Sequence, residues 1–374
     1  MSYRNKAIAA ALLSFASLVP VSFASAADLP YKVKAKPVPD VPFFLVIDDR
    51  VTYSWMPKGT DPGAFSLKPG GGGWNGNTAK SVIAFTHFDI WAYGTNFFLA
   101  TMAKSDHNDP TGPCTNAGVI TNTGNFGNTP ANCAGATEFF GKVISTFGWN
   151  ELFNTKAFTM GPLHNISFQV AMEDEVENNY LAPNKRAFMG GLQFAFDLPY
   201  KGYFNVAPLA YKEINHNSFD QCGGFGVPGN CLIDGNTNFH TTWAVEINYY
   251  MDLNFLPPEM QYFAISGRAG FYGPKGDSNS PMVGTGIGVA STASKTEINS
   301  EPIRLTFDAS KAFMGPKYSQ FVTTWVAYRY WQNKFGLDHN ANLGVCNAAL
   351  PGGVIASTNS CTEQTVYAGV TVKF

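Results

Sequence analysis

Charged residues are scarce in this chain of 374 residues. Asp, Glu, Lys and Arg make up 14% of it, whereas an average soluble domain has about 25%. Aromatic residues also make up 14%, and glycine occurs 37 times. Few charges and many aromatic side chains are typical of a surface that faces lipid. The formal net charge of −2 argues against nucleic acid as a partner and against a strongly anion-selective channel, and it favours a modestly charged or uncharged ligand.

The chain also lacks a long apolar run after its first residues. Residues 1–26 have the basic start, the apolar middle and the small-residue end of a secretory signal peptide. The apolar part is short and is interrupted by Pro20, which argues against an uncleaved anchor. We therefore predict cleavage before Ala27 and export. After that point no window of about 18 uninterrupted apolar residues occurs, so the sequence predicts no transmembrane helix.

Motifs of catalysis and of phosphate or metal binding are missing too. No G-x-S-x-G motif occurs, and the run Gly70–Gly73 lacks the Lys and Ser of a phosphate-binding loop. His87 and Asp89 are an alternative acid–base pair, but a His beside an Asp on a strand is more often hydrogen-bonded structure. Residues 106–109 lack the spacing of a calcium loop. We predict no enzyme, no cofactor and no metal.

Six cysteines are present, and none has the C-x-x-C spacing of a zinc or redox site. Each lies in a stretch rich in Gly, Asn, Thr or Pro, and neighbours in the sequence form three pairs: Cys114 with Cys133, Cys222 with Cys231, and Cys346 with Cys361. In an exported protein such pairs indicate disulfides that close loops. Six cysteines allow 15 pairings, of which the nearest-neighbour pairing is favoured.

What the chain does have is alternation with a period of two residues. In its last residues the apolar set Val366, Ala368, Val370, Val372 and Phe374 alternates with Thr365, Tyr367, Gly369, Thr371 and Lys373. Similar segments of about ten residues lie at 43–56, 79–92, 95–106, 137–148, 164–177, 186–198, 203–215, 239–252, 261–272, 297–309, 318–333 and 362–374. They predict an all-β fold over 43–374, a closed antiparallel transmembrane β-barrel of about 12 strands.

The connections between these segments indicate the orientation of the barrel. If residues 27–42 are a periplasmic N-terminal extension, every second connection is external. All three cysteine pairs then fall in long external connections, 107–136, 216–238 and 334–361. The other connections are mostly short, with 149–163 the exception. Long disulfide-closed external loops and tight internal turns predict the outer membrane of a Gram-negative bacterium.

Alternation also assigns charged residues to the inside of the barrel. Because charges on the lipid face cost free energy, the charged member of each alternating pair should face the lumen. The predicted lumen residues carry both signs: Glu173, Glu175, Glu246 and Asp308 against Arg268, Arg304 and Arg329. Five of them are candidates for binding solute: Glu173, Glu246, Arg268, Arg304 and Arg329. Barrels of eight strands are filled by side chains and those of 16 to 18 hold a channel, so 12 strands predict a narrow passage. The alternative is that these charges pair and plug a structural or adhesive barrel whose loops bind partners.

One stretch resembles a known family. The segment H-F-D-I-W-A-Y-G-T-N-F-F at 87–98, followed by Lys104-Ser105-Asp106, resembles the early hairpin of the Tsx-like nucleoside-specific channel-forming outer-membrane proteins. The resemblance covers about 20 residues and implies that Asp89, Asn96 and Phe98 face the lumen and bind substrate there. The function expected is a channel for small hydrophilic solutes, with nucleosides preferred. Its partners would be outer-membrane lipid, the solute, and the barrel insertion machinery that reads the terminal Phe374.

Overall fold

A computed structural model gives the structure over residues 42–106, 135–178, 184–216, 237–276, 293–341 and 343–374. The predicted signal peptide and nearly all of the predicted extension 27–42 lie outside these described residues. So do four of the six cysteines, which are Cys114, Cys133, Cys222 and Cys231.

Twelve long strands form one antiparallel sheet. They are β1 (Phe44–Thr60), β2 (Asn77–Trp91), β3 (Gly94–Ser105), β4 (Thr137–Gly148), β5 (Leu163–Glu177), β6 (Asn184–Leu198), β7 (Gly202–His216), β8 (Thr242–Asp252), β9 (Phe263–Tyr272), β10 (Glu297–Asp308), β11 (Val322–Gln332) and β12 (Thr362–Lys373). Each pairs with its neighbours in the sequence, and β12 pairs with β1 from Lys373 opposite Arg50 to Ala368 opposite Trp55. The sheet is therefore a closed barrel, and the predicted fold class is confirmed.

Short elements lie between the strands. Two-residue and three-residue strands pair at Ser66–Leu67 with Trp74–Asn75 and at Asn347–Ala349 with Ile355–Ser357, while Thr237–Asn238 adds to β7. The helices are α1 (Trp149–Leu152) and α2 (Ala309–Met314), with single 3₁₀ turns at Pro258–Met260, Pro316–Tyr318 and Lys334–Gly336. None of the helices described is long and apolar enough to cross a membrane.

The strand boundaries lie within two residues of the predicted ones except at three places: β1 ends at Thr60 rather than 56, β8 begins at Thr242 rather than 239, and β11 begins late. The alternation predicted a strand from residue 318, but β11 begins at Val322 because α2 and a 3₁₀ turn occupy the preceding residues. Asp308 accepts a hydrogen bond from the backbone N–H of Lys311 at 2.9 Å, which caps α2. Pro316 at the first position of the next turn fixes its backbone for helical geometry. These local signals end β10 and delay β11.

The two ends of the barrel differ in their connections. At one end, here the turn end, lie the connections 92–93, 149–162, 199–201, 253–262 and 309–321. At the other, the loop end, lie 61–76, 106–136, 178–183, 217–241, 273–296 and 333–361. The long turn-end connection 149–162 is ordered by aromatic contacts, with the Trp149 ring 5.0 Å from Phe158 and 5.2 Å from Phe168 between centroids.

Two loop-end connections pack on each other. Ala64 of the β1–β2 connection is buried with Phe335, Leu337 and Val345 of the β11–β12 connection. The disulfide Cys346–Cys361 joins this group, with the two Cα atoms 5.3 Å apart. One of the three predicted disulfides is thus confirmed. The other two involve cysteines outside the described residues.

The two faces of the barrel are chemically different. On the outer face lie exposed apolar side chains from around the barrel: Val51, Tyr53, Trp55, Ile83, Met102, Phe139, Val143, Phe168, Val170, Met172, Phe188, Trp243, Ile303, Leu305, Val326, Val366, Val370 and Val372. In β12, Val366 is 59% exposed and its neighbour Tyr367 only 9%. Strand alternation therefore puts apolar groups outside and polar groups inside.

Candidate functional site

The lumen holds the charged side chains. The structure places all seven predicted lumen residues on the inner face: Glu173 and Glu175 on β5, Glu246 on β8, Arg268 on β9, Arg304 and Asp308 on β10, and Arg329 on β11. Their strands alternate them with outward apolar residues, as the sequence predicted. Their part in binding a solute stays a prediction.

An ion pair crosses the lumen. Lys142 Nζ on β4 lies 2.9 Å from Oε1 of Glu173 on the next strand. The same ammonium lies 2.5 Å from Oε1 of Glu246 on β8. Three strands, β5 to β7, separate β4 from β8 along the sheet, so this contact joins two sides of the barrel. We call Lys142, Glu173, Lys185 and Glu246 the constriction.

Further contacts hold the constriction in place. Lys185 Nζ lies 3.4 Å from Oε2 of Glu173, and its side chain is only 3% exposed. The Tyr272 hydroxyl donates to Oε1 of Glu246 at 3.0 Å. Tyr272 reaches that carboxylate by lying across Gly270, where an added Cβ would come within 2.6 Å of the tyrosine oxygen. Buried charges of both signs are thereby hydrogen-bonded, which offsets part of the cost of removing them from water.

A second group lines one wall of the lumen. Nε and Nη2 of Arg304 donate to the two oxygens of Glu301 at 2.7 and 3.1 Å, and the Tyr367 hydroxyl donates to the same carboxylate. The guanidinium carbon of Arg304 lies 3.9 Å from the ring centroid of Trp325. Trp325 lies against Gly369, where an added Cβ would come within 2.4 Å of the ring. We call Arg268, Glu301, Arg304 and Trp325 the arginine wall.

Arg268 is the exposed member of the arginine wall. It lies opposite Asn248 on β8 and opposite Glu301 on β10. Its side chain faces the lumen and is exposed. Among the residues that the structure describes, none places a carboxylate within 4.0 Å of Arg268.

Charged groups also fill the loop end of the lumen. Arg329 Nε and Lys334 Nζ each lie 3.0 Å from an oxygen of Glu363, which also accepts from the Thr60 backbone N–H at 2.9 Å. Both cations lie over the Trp331 ring, 4.9 and 4.2 Å from its centroid. The tryptophan face is thus covered by protein cations.

Three carboxylates come together nearby. Oxygens of Asp61, Glu138 and Glu177 lie within 4.8 Å of one another. Lys80 Nζ lies 3.1 Å from Asp61 and also binds Glu138. The Lys80 stem crosses Gly59, where an added Cβ would come within 2.6 Å of Cε. The ammonium of Lys80 therefore supplies positive charge between these carboxylates.

The three residues that the resemblance pointed to lie elsewhere. Phe98 and Asn96 share a face of β3 with Met102, which is exposed on the outer surface, and Asp89 shares a face of β2 with the exposed Ile83. The structure thus places Asp89, Asn96 and Phe98 on the outer face of the barrel, which corrects the lumen placement. A resemblance of motif carried no information about strand parity, and parity decides the face.

These outer polar residues form a chain of hydrogen bonds. His87 lies between Asp49 and Asp89, with Nδ1 2.7 Å from the first carboxylate and Nε2 3.1 Å from the second. Asn96 donates to Asp89 at 2.9 Å, and the Ser145 hydroxyl donates to Asn96 at 2.7 Å. The serine is thus hydrogen-bonded to an amide rather than to the imidazole. The interpretation of His87 and Asp89 as hydrogen-bonded structure agrees with this geometry.

Sequence reasoning missed several members of the site, above all Lys142, Lys185 and Glu301. Lys142 lies on β4, where Phe140 and Ile144 share the inner face with it. Because apolar residues occupy both faces of that strand, alternation gives no clear assignment. The contact from Lys142 to Glu246 depends on how the barrel closes, which no local pattern contains.

Neither a protein-family model nor a curated protein sequence matches this chain. Among solved structures, the chain is similar to the β-domain of the Bordetella autotransporter Brka, with 8% identity, 88% of this chain and 99% of that chain covered, and a TM-score of 0.32. It is also similar to the translocator domain of autotransporter NalP from Neisseria meningitidis (9% identity, 88% of each chain, TM-score 0.34). For Pseudomonas aeruginosa OccK11 (OpdR) the values are 8% identity, 88% of this chain, 95% of that chain and a TM-score of 0.31. Similarity at these values carries no argument about function.

Proposed function

We propose that the protein is an outer-membrane channel through which small hydrophilic solutes diffuse. The observation that carries the proposal is the division of one closed barrel into an apolar outer face and a charged inner face. Exposed apolar side chains surround the barrel, and such a surface is stable where lipid covers it. Charged groups on the inner face favour water and polar solutes in the lumen.

The orientation follows the pattern of bacterial barrels. Tight turns face the periplasm and longer loops face outside in such proteins. We place the turn end at the periplasm and the Cys346–Cys361 disulfide outside. The terminal Phe374, which is 69% exposed on the outer face, then lies at the periplasmic interface.

The constriction limits the size of the solute. The bridge from Lys142 to Glu246 divides the lumen cross-section, so the passage is narrower than a 12-strand barrel alone would give. On the turn-end side of this bridge the inner face carries exposed or half-exposed polar groups, among them Asn248, Ser266 and Arg268. We infer that solutes enter this part of the lumen from the periplasmic side and pass the constriction only when small.

Preference for nucleosides is a finer proposal. The residues that the resemblance associated with substrate face outward, and the Trp325 ring is covered by Arg304. The lumen does offer Tyr203 and Tyr250, whose rings stack with centroids 6.2 Å apart and planes 21° apart. Base stacking on aromatic rings contributes about 1 to 3 kcal/mol, so a nucleoside remains a useful test solute.

One observation favours the alternative of a plugged barrel. Lys142, Lys185 and Lys334 are all buried in ion pairs within the lumen. If these pairs hold the barrel shut, the protein acts as a structural or adhesive barrel whose loops bind partners.

Planar-bilayer recording separates the two functions. Purified protein should give small, discrete conductance steps, and a nucleoside should reduce the current more than a sugar of similar size. Equal block by both solutes would remove the nucleoside preference and leave the channel. A membrane with inserted, folded protein and no conductance steps would favour the plugged barrel.

A further inference from the structure

We propose that Arg268 forms a binding site for the oxyanion of a small solute, a carboxylate or a phosphate group. The proposal deepens the proposed channel function and rests on it, because the site lies on the inner face of the barrel. Three independent features of the arginine wall support it: charge, exposure and available hydrogen-bond donors.

The first feature is a net positive charge in the arginine wall. Glu301 is the acidic residue opposite Arg268 in the register. Both of its oxygens are bound by Arg304, and the Tyr367 hydroxyl also donates to it. One carboxylate thus faces two guanidinium groups, and the hydrogen bonds that it accepts within the described part of the chain come from Arg304 and Tyr367 rather than from Arg268. Arg268, Arg304 and Glu301 together carry one net positive charge, and the exposed Arg268 presents it to the lumen.

The second feature is that, in the ion pairs on this side of the lumen, the cationic side chain is more exposed than the carboxylate. The Arg304 side chain is 28% exposed and that of Glu301 5%. Near the turn end, Arg50 is 31% and Lys373 36% exposed, whereas Asp48, which binds both, is 17% exposed. A solute in the lumen therefore meets ammonium and guanidinium groups first, with their carboxylates behind them.

The third feature is a neighbouring donor. Asn248 lies directly opposite Arg268. The Oδ1 of Asn248 accepts a hydrogen bond from Asn205 Nδ2 at 3.1 Å. The Nδ2 of Asn248 therefore points away from Asn205. Among the described residues no acceptor engages that Nδ2. Guanidinium groups bind carboxylate and phosphate oxygens in bidentate fashion, and the amide adds a further N–H donor.

The net charge of −2 for the whole chain does not oppose this site. Glu173 in the constriction, and Glu213 and Glu363 towards the loop end, are buried in ion pairs. Their fields are largely cancelled by their partners, whereas Arg268 has none within ion-pair distance among the described residues. The net charge of the chain therefore does not set the charge beside Arg268.

Current block by three solutes of matched shape tests the proposal. Benzoate and phenyl phosphate carry an oxyanion, and benzamide does not. The full-length protein, Arg268→Gln, Arg268→Lys and the control Lys317→Gln are compared in planar bilayers at low salt. Lys317 lies in the 3₁₀ turn at the turn end, outside the barrel strands. Resistance to heat in detergent shows that each variant is folded.

We expect benzoate and phenyl phosphate to block the parent and Lys317→Gln more strongly than benzamide does. In Arg268→Gln the half-blocking concentration of both oxyanions should rise about tenfold, since a charge-assisted hydrogen bond contributes about 1.5 to 3 kcal/mol. In Arg268→Lys the half-blocking concentration should be intermediate, because lysine keeps the positive charge but lacks the two parallel N–H donors of a guanidinium group. Block by benzamide should not change.

Two results would overturn the site while leaving the channel intact. One is equal block of the parent by benzoate and benzamide. The other is oxyanion block that survives Arg268→Gln. If no protein conducts, the channel function fails, and equilibrium binding of radiolabelled benzoate to the detergent-solubilised barrel decides the site separately. Benzoate binding to the parent that is lost in Arg268→Gln supports the site. No benzoate binding to the parent, or equal binding to the parent and the variant, refutes it.

Discussion

At the scale of the residue, Lys142 has the most consequential contacts in the lumen. Its ammonium neutralises carboxylates from two sides of the barrel, Glu173 and Glu246. Because all three side chains are largely buried, each depends on the others for charge balance. Removing one partner of a buried ion pair leaves an uncompensated charge, which costs more than the pair itself contributes.

The variant Lys142→Met should therefore lower the stability of the barrel. We expect a loss of about 3 to 5 kcal/mol in the free energy of unfolding, measured by urea denaturation in detergent micelles. The double variant Lys142→Met with Glu246→Gln should recover part of the loss, because Glu173 keeps Lys185 as a partner. Lys201→Gln in an exposed turn is the control. Equal stability of Lys142→Met and the parent would contradict the ion-pair network.

Gly369 is a residue whose missing side chain matters. An added Cβ would lie 2.4 Å from the Trp325 ring and 2.6 Å from the Tyr53 carbonyl oxygen. Gly369→Ala should displace Trp325 and lower the free energy of unfolding by about 1 to 3 kcal/mol. Tryptophan fluorescence and urea denaturation measure both effects. Gly72→Ala has open space around the added Cβ and should change neither; an effect of the same size there would remove the packing explanation.

At the scale of the element, β12 closes the barrel and ends the chain. The backbone N–H of Phe374 donates to the Asp49 carbonyl at 3.1 Å, and its ring lies 6.4 Å from that of Phe85 between centroids. Deleting Phe374 removes one hydrogen bond of a closed sheet, so a barrel that has already folded should lose little stability. Assembly should suffer far more, because we expect the insertion machinery to read this terminal aromatic residue.

Assembly is measured as the amount of heat-resistant protein in isolated outer membranes. The truncated chain should reach a small fraction of the parent level, while refolding in detergent stays efficient. Phe374→Tyr, which keeps the ring, is the matched control and should assemble normally. Normal membrane levels of the truncated chain would show that the terminal residue is not a recognition signal.

The loop-end connections lead to a prediction about disulfides. Cys346 and Cys361 are bridged across a sequence separation of 15 residues, for which the chain-entropy model gives about 3 kcal/mol of stabilisation. Peptide mapping without reductant should find this bridge and the two pairs outside the described residues, Cys114 with Cys133 and Cys222 with Cys231. Bridges between different connections would contradict the assignment of all three pairs to loops at one end.

Strands and faces were predictable because local alternation encodes both. Val366 and Tyr367 face opposite sides, as the pattern of β12 requires. The start of β11 was not predictable from alternation, because the cap at Asp308 and the turn at Pro316 replace the first residues of the expected strand. The faces of Asp89, Asn96 and Phe98 were missed because the resemblance that suggested them carries no information about strand parity.

At the scale of the whole molecule, closure of the barrel creates the site. Lys142 and Glu246 are 104 residues apart in the sequence, and no segment of the chain specifies their contact. The shear of the closed sheet sets which inner residues meet across the lumen. The composition of the inner face could therefore be predicted, while its pairing could not.

The central claim is that solutes pass through the lumen along this inner face. Ser266 lies on the inner face opposite Arg304, and Ser81 lies on the outer face beside Tyr53. The measurement is the single-channel conductance of Ser266→Cys and Ser81→Cys before and after a bulky thiol reagent, with the unmodified parent as control. Conduction through the lumen predicts a clear drop in conductance for Ser266→Cys alone. Unchanged conductance in a fully labelled Ser266→Cys channel, or the same drop for Ser81→Cys, would contradict it.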